Sequence, residues 1–459
     1  MIQRMLMRRE RAWRQTAARW LARPAAVAAP GLWGLALAVA GILAWGPSPE
    51  VSAQDLTLGG RLQVQVGVPL AGTDSQLVDP STELRLKLDN AKDQGAFHAD
   101  LVFREDGAQP LPPSWNLRTA YGTVNAPSWE LSFGKQVVAW GNTDLFNPVN
   151  VLNPDDLSNP TKDPADMKLP VLMTKFTYYP APGGDTSLQA VVVPVFTPSL
   201  LPEPGSYWAP PAPEYPQAIP VQGALVPVSR VENPEISLPA ATPENAAVGL
   251  RLGTTLPVLG GSQVAAVYYH GHLHTPTPVL QVEPDPTASQ QPSVILKPAL
   301  HYDPVNTFGA EFSTSVAGIG LSSTVGYSLT PDKDGTDPNT ANPSGMAVVE
   351  ASYVFANGLN LSAEVAESYA KGDRGQADQW TTQTGLLLMH QPTDRLTWQT
   401  ALLYNVSDKG GVIRPQVQYT LTDGVTATLA AFAFFGPENS QLGGYHDKSL
   451  ATLSLSCAF

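Results

Sequence analysis

Apolar and polar residues alternate with a period of two along much of the chain. "RLQVQVGV" sets Leu62, Val64, Val66 and Val68 on one face, with Arg61, Gln63 and Gln65 on the other. "ELRLKLD" opposes Leu84, Leu86 and Leu88 to Glu83, Arg85, Lys87 and Asp89, and "FHADLVFR" opposes Phe97, Ala99, Leu101 and Phe103 to His98, Asp100 and Arg104. The last ten residues, "LATLSLSCAF", keep the same beat up to the terminal Phe459. Period two is the strand period. Strands of about 9–11 residues, apolar toward lipid and polar toward an interior, are what a closed transmembrane barrel requires.

The pattern predicts eighteen strands: 55–69, 82–90, 95–104, 115–124, 128–140, 171–180, 184–196, 246–256 and 262–274 in the first half. The second half supplies 305–316, 318–330, 345–356, 359–370, 380–391, 394–408, 411–422, 423–436 and 448–459. The expected fold is all-β, a single transmembrane antiparallel barrel of about eighteen strands, or sixteen if two weak strands fail. Loop length sorts by parity. Connections after even-numbered strands are brief ("AKDQ", "NAPS", "AG", "NG", "TD"), whereas those after odd-numbered strands are mostly long. Short periplasmic turns and long external loops are the outer-membrane pattern, which puts both termini in the periplasm. The longest external loop, 197–245, holds 12 of the chain's 44 prolines in its 197–243 portion, a composition that favours extended polyproline conformations.

The N-terminus carries seven arginines before Pro24, the apolar run Leu32–Trp45, and small residues at Val51-Ser52-Ala53. These features predict a secretory signal peptide over 1–53, with the barrel occupying 54–459. With 27 Lys+Arg against 40 Asp+Glu, and those seven arginines inside the leader, the remainder is acidic and unsuited to nucleic acid. Cys457 is the single cysteine, so no intramolecular disulfide can form. No G-x-S-x-G, H-E-x-x-H or phosphate loop occurs, and neither enzyme activity nor a cofactor is expected.

"FGKQVVAWGNTDLFNPVNVLNPDDLSNP" departs from the strand pattern, with Asn-Pro recurring at Asn147-Pro148, Asn153-Pro154 and Asn159-Pro160. At Gly134, Lys135, Gln136, Trp140, Gly141, Asp144, Asn147, Pro148, Asn153 and Pro154 it resembles a poorly characterised group of porin-like outer-membrane barrels. The alginate-export barrels are a more distant likeness. "YYHGHLHTPTPVL" and "HYDPVNTFGAEFSTSV" look like places where such barrels send a strand into an external loop and bring the next one back. The resemblance implies a channel and fixes no substrate. A position after Gln136 that is often basic in that group is Val137 here. The terminal Phe459 resembles the signal read by the barrel-assembly machinery. Lipid, lipopolysaccharide and small solutes are the other partners implied, for a monomer or a homotrimer.

Proline removes donors and asparagine closes local turns, so this stretch suits a loop (141–170) folded into the lumen. Its candidate residues are Lys135, Gln136, Trp140, Asp144, Phe146, Asn147, Asn153, Asp155, Asp156 and Asn159, with Trp140 and Phe146 anchoring it to the wall. An outward flap over the mouth is the alternative. Alternation sends Lys135 toward lipid, so either it lies at the rim and snorkels or Gly134 makes a bulge that re-aims it inward, the arrangement favoured here. Pore-lining candidates are Arg61, Arg85, Lys87, Arg104 and Arg118, with Glu83, Asp89 and Asp100 interleaved. A basic wall facing an acidic loop sets a field across the passage, while interior salt bridges are the competing arrangement. His270, His272 and His274 share one face, taken as lumenal; they offer a weak metal alternative, but no metal site is assigned.

Overall fold

The computed structural model describes residues 56–459, apart from 72–76, 93, 107–113, 182–183, 211–212, 222 and 289–290. The expected signal peptide lies outside the described residues. Alternating segments become strands, and these strands build a wall. It begins with β1 (Leu56–Pro69), β2 (Val78–Lys92), β3 (Gly95–Asp106), β4 (Ser114–Ala126), β5 (Trp129–Gln136), β6 (Val171–Tyr178) and β7 (Ser187–Val193). Three strands then form outside it: β8 (Ala218–Val221), β9 (Ala224–Val231) and β10 (Glu235–Ile236). β11 (Ala247–Leu256) and β12 (Ser262–His272) return to the wall, and β13 (Thr277–Pro284) and β14 (Val294–His301) leave it again.

The remaining nine all belong to the wall. They are β15 (Pro304–Val316), β16 (Ile319–Leu329), β17 (Ser344–Val354), β18 (Asn360–Ala370), β19 (Gln379–Thr393), β20 (Leu396–Asn405), β21 (Gly411–Thr422), β22 (Val425–Phe435) and β23 (Leu450–Ala458). The eighteen wall strands pair antiparallel with their neighbours, and β1 pairs with β23 as well as with β2. Phe459 completes the seam: its carbonyl accepts from Gly60 N at 2.8 Å and its N–H donates to Gly60 O at 3.0 Å. Closure satisfies the ladder and removes the sheet edge, the condition for crossing a bilayer with strands.

Leu62, Val64, Phe103, Trp115, Phe176, Leu250, Phe308, Val349, Leu453 and Leu455 stand exposed on the outer face. In water each would forfeit about 1.5–3 kcal/mol of burial; against lipid that penalty disappears. At the short-turn rim, Ala317 and Gly318 join β15 to β16 with φ of 51° and 82°, the two left-handed residues a tight hairpin needs.

Two expectations change. β5 ends at Gln136 rather than 140, because Val138 and Trp140 turn into the interior and are buried there. The proline-rich run is not simply extended: β8, β9 and β10 join β13 and β14 in a separate five-stranded sheet. Val294, Ile295 and Leu296 are buried in it at 6%, 2% and 0% exposure, enough apolar surface to override the composition. Trp208 of the same long loop packs with Phe432, Phe434 and Leu450 of β22 and β23, and Lys448 Nζ donates to the Ala209 carbonyl.

Candidate functional site

The connection from β5 to β6, residues 137–170, lies against the inner side of the wall. Its apolar residues Val138, Trp140, Val149 and Leu152 form one buried cluster with Val171 and Met173 of β6, Val191 and Val193 of β7, Val267 and Tyr269 of β12, and Val305 of β15. Wall glycines make the approach feasible. A Cβ at Gly249 would come within 2.6 Å of Trp140, one at Gly309 within 2.3 Å of Val149, and one at Gly326 within 2.9 Å of Pro148. At Gly385 it would come within 2.5 Å of Leu145 and 3.2 Å of Phe146. These glycines belong to β11, β15, β16 and β19, and they trace the seat of the loop along the wall.

Polar contacts fix the same path. Gly141 N donates to Glu311 Oε1 of β15 at 3.2 Å, and Asn142 Nδ2 donates to the Phe312 carbonyl at 2.7 Å. Three successive N–H groups, of Asp144, Leu145 and Phe146, donate to the Glu364 carboxylate of β18 at 2.8, 2.6 and 2.9 Å. Asp144 N also reaches Glu350 of β17 at 3.0 Å. Glu364 is 1% exposed, so this carboxylate is stabilised by backbone donors rather than by water. On the far side the loop ends in ion pairs: Asp166 meets Arg85 and Arg118, each at 3.1 Å.

The Asn-Pro units work locally and at range. Asn147 Nδ2 donates to the Trp140 carbonyl at 2.8 Å, and its amide occupies space beside Gly141 (φ 94°) that a Cβ would fill. Asn159 Oδ1 accepts from both the N–H and the hydroxyl of Thr161 at 2.8 Å. Asn153, 1% exposed, ties three strands of backbone together. It accepts from Val138 N at 2.8 Å and donates to the carbonyls of Gln136 and Leu169 at 3.1 and 2.9 Å. Trp140 Nε1 donates to Gln189 of β7, and Gln136 accepts from Ser132. Asp155 pairs with Lys168 and Asp156 with Lys162. Burial works against ionisation of Asp156, yet the Lys162 and Ser158 hydrogen bonds hold its carboxyl below the usual range. Asp144 is exposed, lining a cavity of about 650 Å³ with Asn150, Asp155 and Lys168.

The wall charges predicted from β1–β4 are largely paired. Arg85 holds Asp100 through Nε at 2.9 Å as well as Asp166; Arg61 and Arg104 reach Glu83 at 3.3 and 3.7 Å; His98 meets Asp89. Lys87 is exposed and stands across from Asp100 in register. The arrangement therefore combines wall-to-loop and wall-to-wall ion pairs.

Lys135 corrects an expectation. Its register is unbroken with Ala120 on one side and Leu172 on the other, so Gly134 makes no bulge, although its φ is 135°. Lys135 keeps the outward row and bends along the wall to the Leu117 carbonyl at 2.7 Å. The register shift in this region falls in the β3–β4 pairing instead, where Arg118 is the extra residue and turns to the loop.

The histidines do not share a lumenal face. His270 pairs with Val248 and Asn306 in the row of Tyr268 and the exposed Phe308, while the inward row is Ala265, Val267 and Tyr269. His274 lies beyond β12, with Nδ1 2.9 Å from the Thr197 carbonyl and Nε2 3.1 Å from that of Val151. Among the described residues no group of three ligands could hold a metal.

Sequence reasoning missed Glu311, Glu350, Glu364 and Arg414. A lone acid in the inward row of an otherwise small and apolar membrane strand ("AVVEASYV", "LSAEVAES") was the available signal.

Beside the loop lies a second cavity of about 650 Å³, bounded by the inner faces of β1–β4 and β20–β23 and by residues 156–166. Its neutral lining is amide and hydroxyl: Gln63, Gln416, Gln418, Thr428, Ser454 and Ser456 among others. A closed eighteen-stranded wall with an apolar outer belt, a loop laid inside it and a polar space beside that loop define a porin-type outer-membrane β-barrel.

The chain belongs to the family described as "Protein of unknown function (DUF1302)", whose model matches residues 118–459. Among solved structures it is similar to OccK11 (OpdR) of Pseudomonas aeruginosa, at 9% identity and TM-score 0.47, covering 88% of this chain and 96% of that one. It is also similar to OmpT, an outer-membrane protein of Vibrio cholerae in trimer form, at 11% identity and TM-score 0.44, covering 88% and 99%. OmpF of Salmonella typhi, in complex with daunomycin, aligns at 10% identity and TM-score 0.41, covering 88% and 97%. No curated protein matches the chain.

Proposed function

We propose that the barrel is an outer-membrane channel for passive diffusion of small hydrophilic solutes, with anions favoured. Solutes pass between the infolded loop and the β20–β23 and β1–β4 walls, and the loop sets the width of the passage. The long-loop rim faces outward and the termini face the periplasm. The observation that carries the reading is the cavity beside the loop, whose Gln, Ser and Thr lining offers hydrogen bonds to solutes without trapping them. Elsewhere in the lumen the apolar cluster under the loop takes up space, and the cavity that remains there carries the charged Asp144, Asp155 and Lys168 rather than a neutral lining. Purified barrel in a planar bilayer under a salt gradient tests this. Stepwise conductance with a reversal potential toward the anion is expected. A folded, heat-modifiable barrel that never conducts overturns the reading.

A further inference from the structure

We propose that Arg414 is the residue by which the passage selects solutes: its guanidinium docks the carboxylate of organic anions, facing Asp163 on the infolded loop. This rests on the passage proposed above and assigns its recognition chemistry.

Nearly every charge around the cavity has an oppositely charged group within ion-pair distance, with two exceptions. Arg61 and Arg104 share Glu83, Arg118 takes Asp166, and Lys162 takes Asp156. Among the described residues, Arg414 of β21 and Asp163 of the loop enter no ion pair, although both line the cavity. They attract one another across it. Asp163 accepts one backbone bond, from Ala165 N at 3.0 Å, which orients its carboxylate.

Arg414 is also held in place. Its guanidinium carbon lies 4.8 Å over the ring of Phe432, which is itself 4% exposed. The ring covers one face of the guanidinium, and among the described residues Nε is sealed from solvent without a partner, so the terminal Nη1 and Nη2 are the donors left for a solute. An edge-on fork matches the two oxygens of a carboxylate. Neighbouring wall groups are neutral, Gln399, Gln416 and Gln418, so no wall acid competes with a solute. By contrast, a solute binding Arg104 or Arg118 must displace a resident carboxylate.

Reversal potentials of wild type, Arg414→Gln, Arg414→Lys, Arg104→Gln and Asp163→Asn form the first test. Arg414→Gln should lose anion preference several-fold and Asp163→Asn should raise it. Arg414→Lys should keep chloride preference, and Arg104→Gln, which leaves Glu83 with Arg61, should lose clearly less than Arg414→Gln. Wild-type selectivity in Arg414→Gln, or an equal loss in Arg104→Gln, overturns the assignment. The second test does not depend on conductance: folded barrel is treated with phenylglyoxal, with or without glutarate, and the modified arginines are mapped by peptide mass. Arg414 should react ahead of Arg61 and Arg104 and be protected by glutarate. Slower reaction at Arg414, or no protection there, refutes carboxylate docking even if the channel conducts. A barrel that fails to conduct yet shows protected Arg414 refutes the passage and leaves the docking site standing.

Discussion

Asn153 offers the sharpest test of how the loop is seated. Its side chain satisfies one backbone donor, Val138 N, and two backbone acceptors, the carbonyls of Gln136 and Leu169, at a site 1% exposed. Asn153→Ala removes all three bonds at once. Each is worth about 1 kcal/mol net, and a buried group left without a partner costs about 1–3 kcal/mol. Water entering the space left by the amide would hold the total near the lower end, about 3 kcal/mol, which is roughly a hundredfold in the open-to-seated ratio. Asn153→Asp is expected to be worse, because an acid keeps the acceptor for Val138 but presents oxygens to two carbonyls. The assay is hydrogen exchange of the folded barrel. Exchange at Val138 and along 137–170 should quicken by about two orders of magnitude, while amides of β15–β23 keep their protection. If Val138 exchanges at the wild-type rate in Asn153→Ala, the amide is not what seats the loop. If all strands lose protection equally, Asn153 supports the barrel as a whole, and the loop does not open as a separate unit.

Gly309→Val should force Val149 off the wall at an overpacking cost of about 1–3 kcal/mol, raising the conductance of a still-folded barrel; unchanged conductance would show that the seat at Gly309 does not set the passage. Burial lowers the pKa of His274 from 6.5, and Lys168 adds to this, while the Thr197 and Val151 carbonyls and Asp155 oppose it. Native His274 therefore binds fewer protons than it does when released. The clasp between the loops is at full strength above pH 6.5 and weakens as pH falls below it. Proteolysis of the 194–204 segment should quicken from pH 7.5 to 5 in wild type, and His274→Gln should abolish that pH dependence. In a Cys457→Ser background, cysteines at Glu203 or Asp334 should label from outside intact cells, and those at Asn357 or Asp394 should not; reversed labelling would invert the orientation.

Much of the wall was legible because a membrane barrel imposes its chemistry strand by strand. Wherever one face meets lipid and the other meets water, alternation has no alternative, and β1–β3 and β23 show it with few departures, such as Val102 and Leu450 on the inward rows. Turn chemistry reinforced it, since Ala317-Gly318 and Asp423-Gly424 can reverse the chain in two residues. Register did not emerge from the pattern. Arg118 had to be placed by the pairing of its neighbours, and Lys135 obeyed strict alternation where a glycine had suggested an exception. The five-stranded sheet was hidden because its prolines occupy strand positions, as where Pro278 pairs with Leu300 and Pro298 with Leu280.

The candidate site was legible only in part, for a physical reason that also locates it. Polar-in alternation assumes that the lumen holds water. Along β7 and β12 it does not: Val191, Val193, Val267 and Tyr269 face inward and are covered by Trp140, Val149 and Leu152. Those strands are apolar on both faces, so "AVVV" and "VAAVYY" read ambiguously, and the histidine row after Tyr268 lies on the opposite side from the one its polarity suggests. Glycines on the inward rows of β11, β15, β16 and β19 complete the same signature, because a strand facing open water gains nothing from lacking a side chain there. Two-faced apolar strands and inward glycines thus mark the wall that carries the loop, while inward Gln, Ser and Thr of β1 and β20–β23 mark the wall that faces solvent. The asymmetry has an electrostatic consequence. On the β2–β4 side, loop and wall neutralise one another through Arg85, Arg118, Asp100 and Asp166. In that cavity the charged groups that enter no ion pair among the described residues are Arg414 and Asp163, and these are the ones placed to act on a solute.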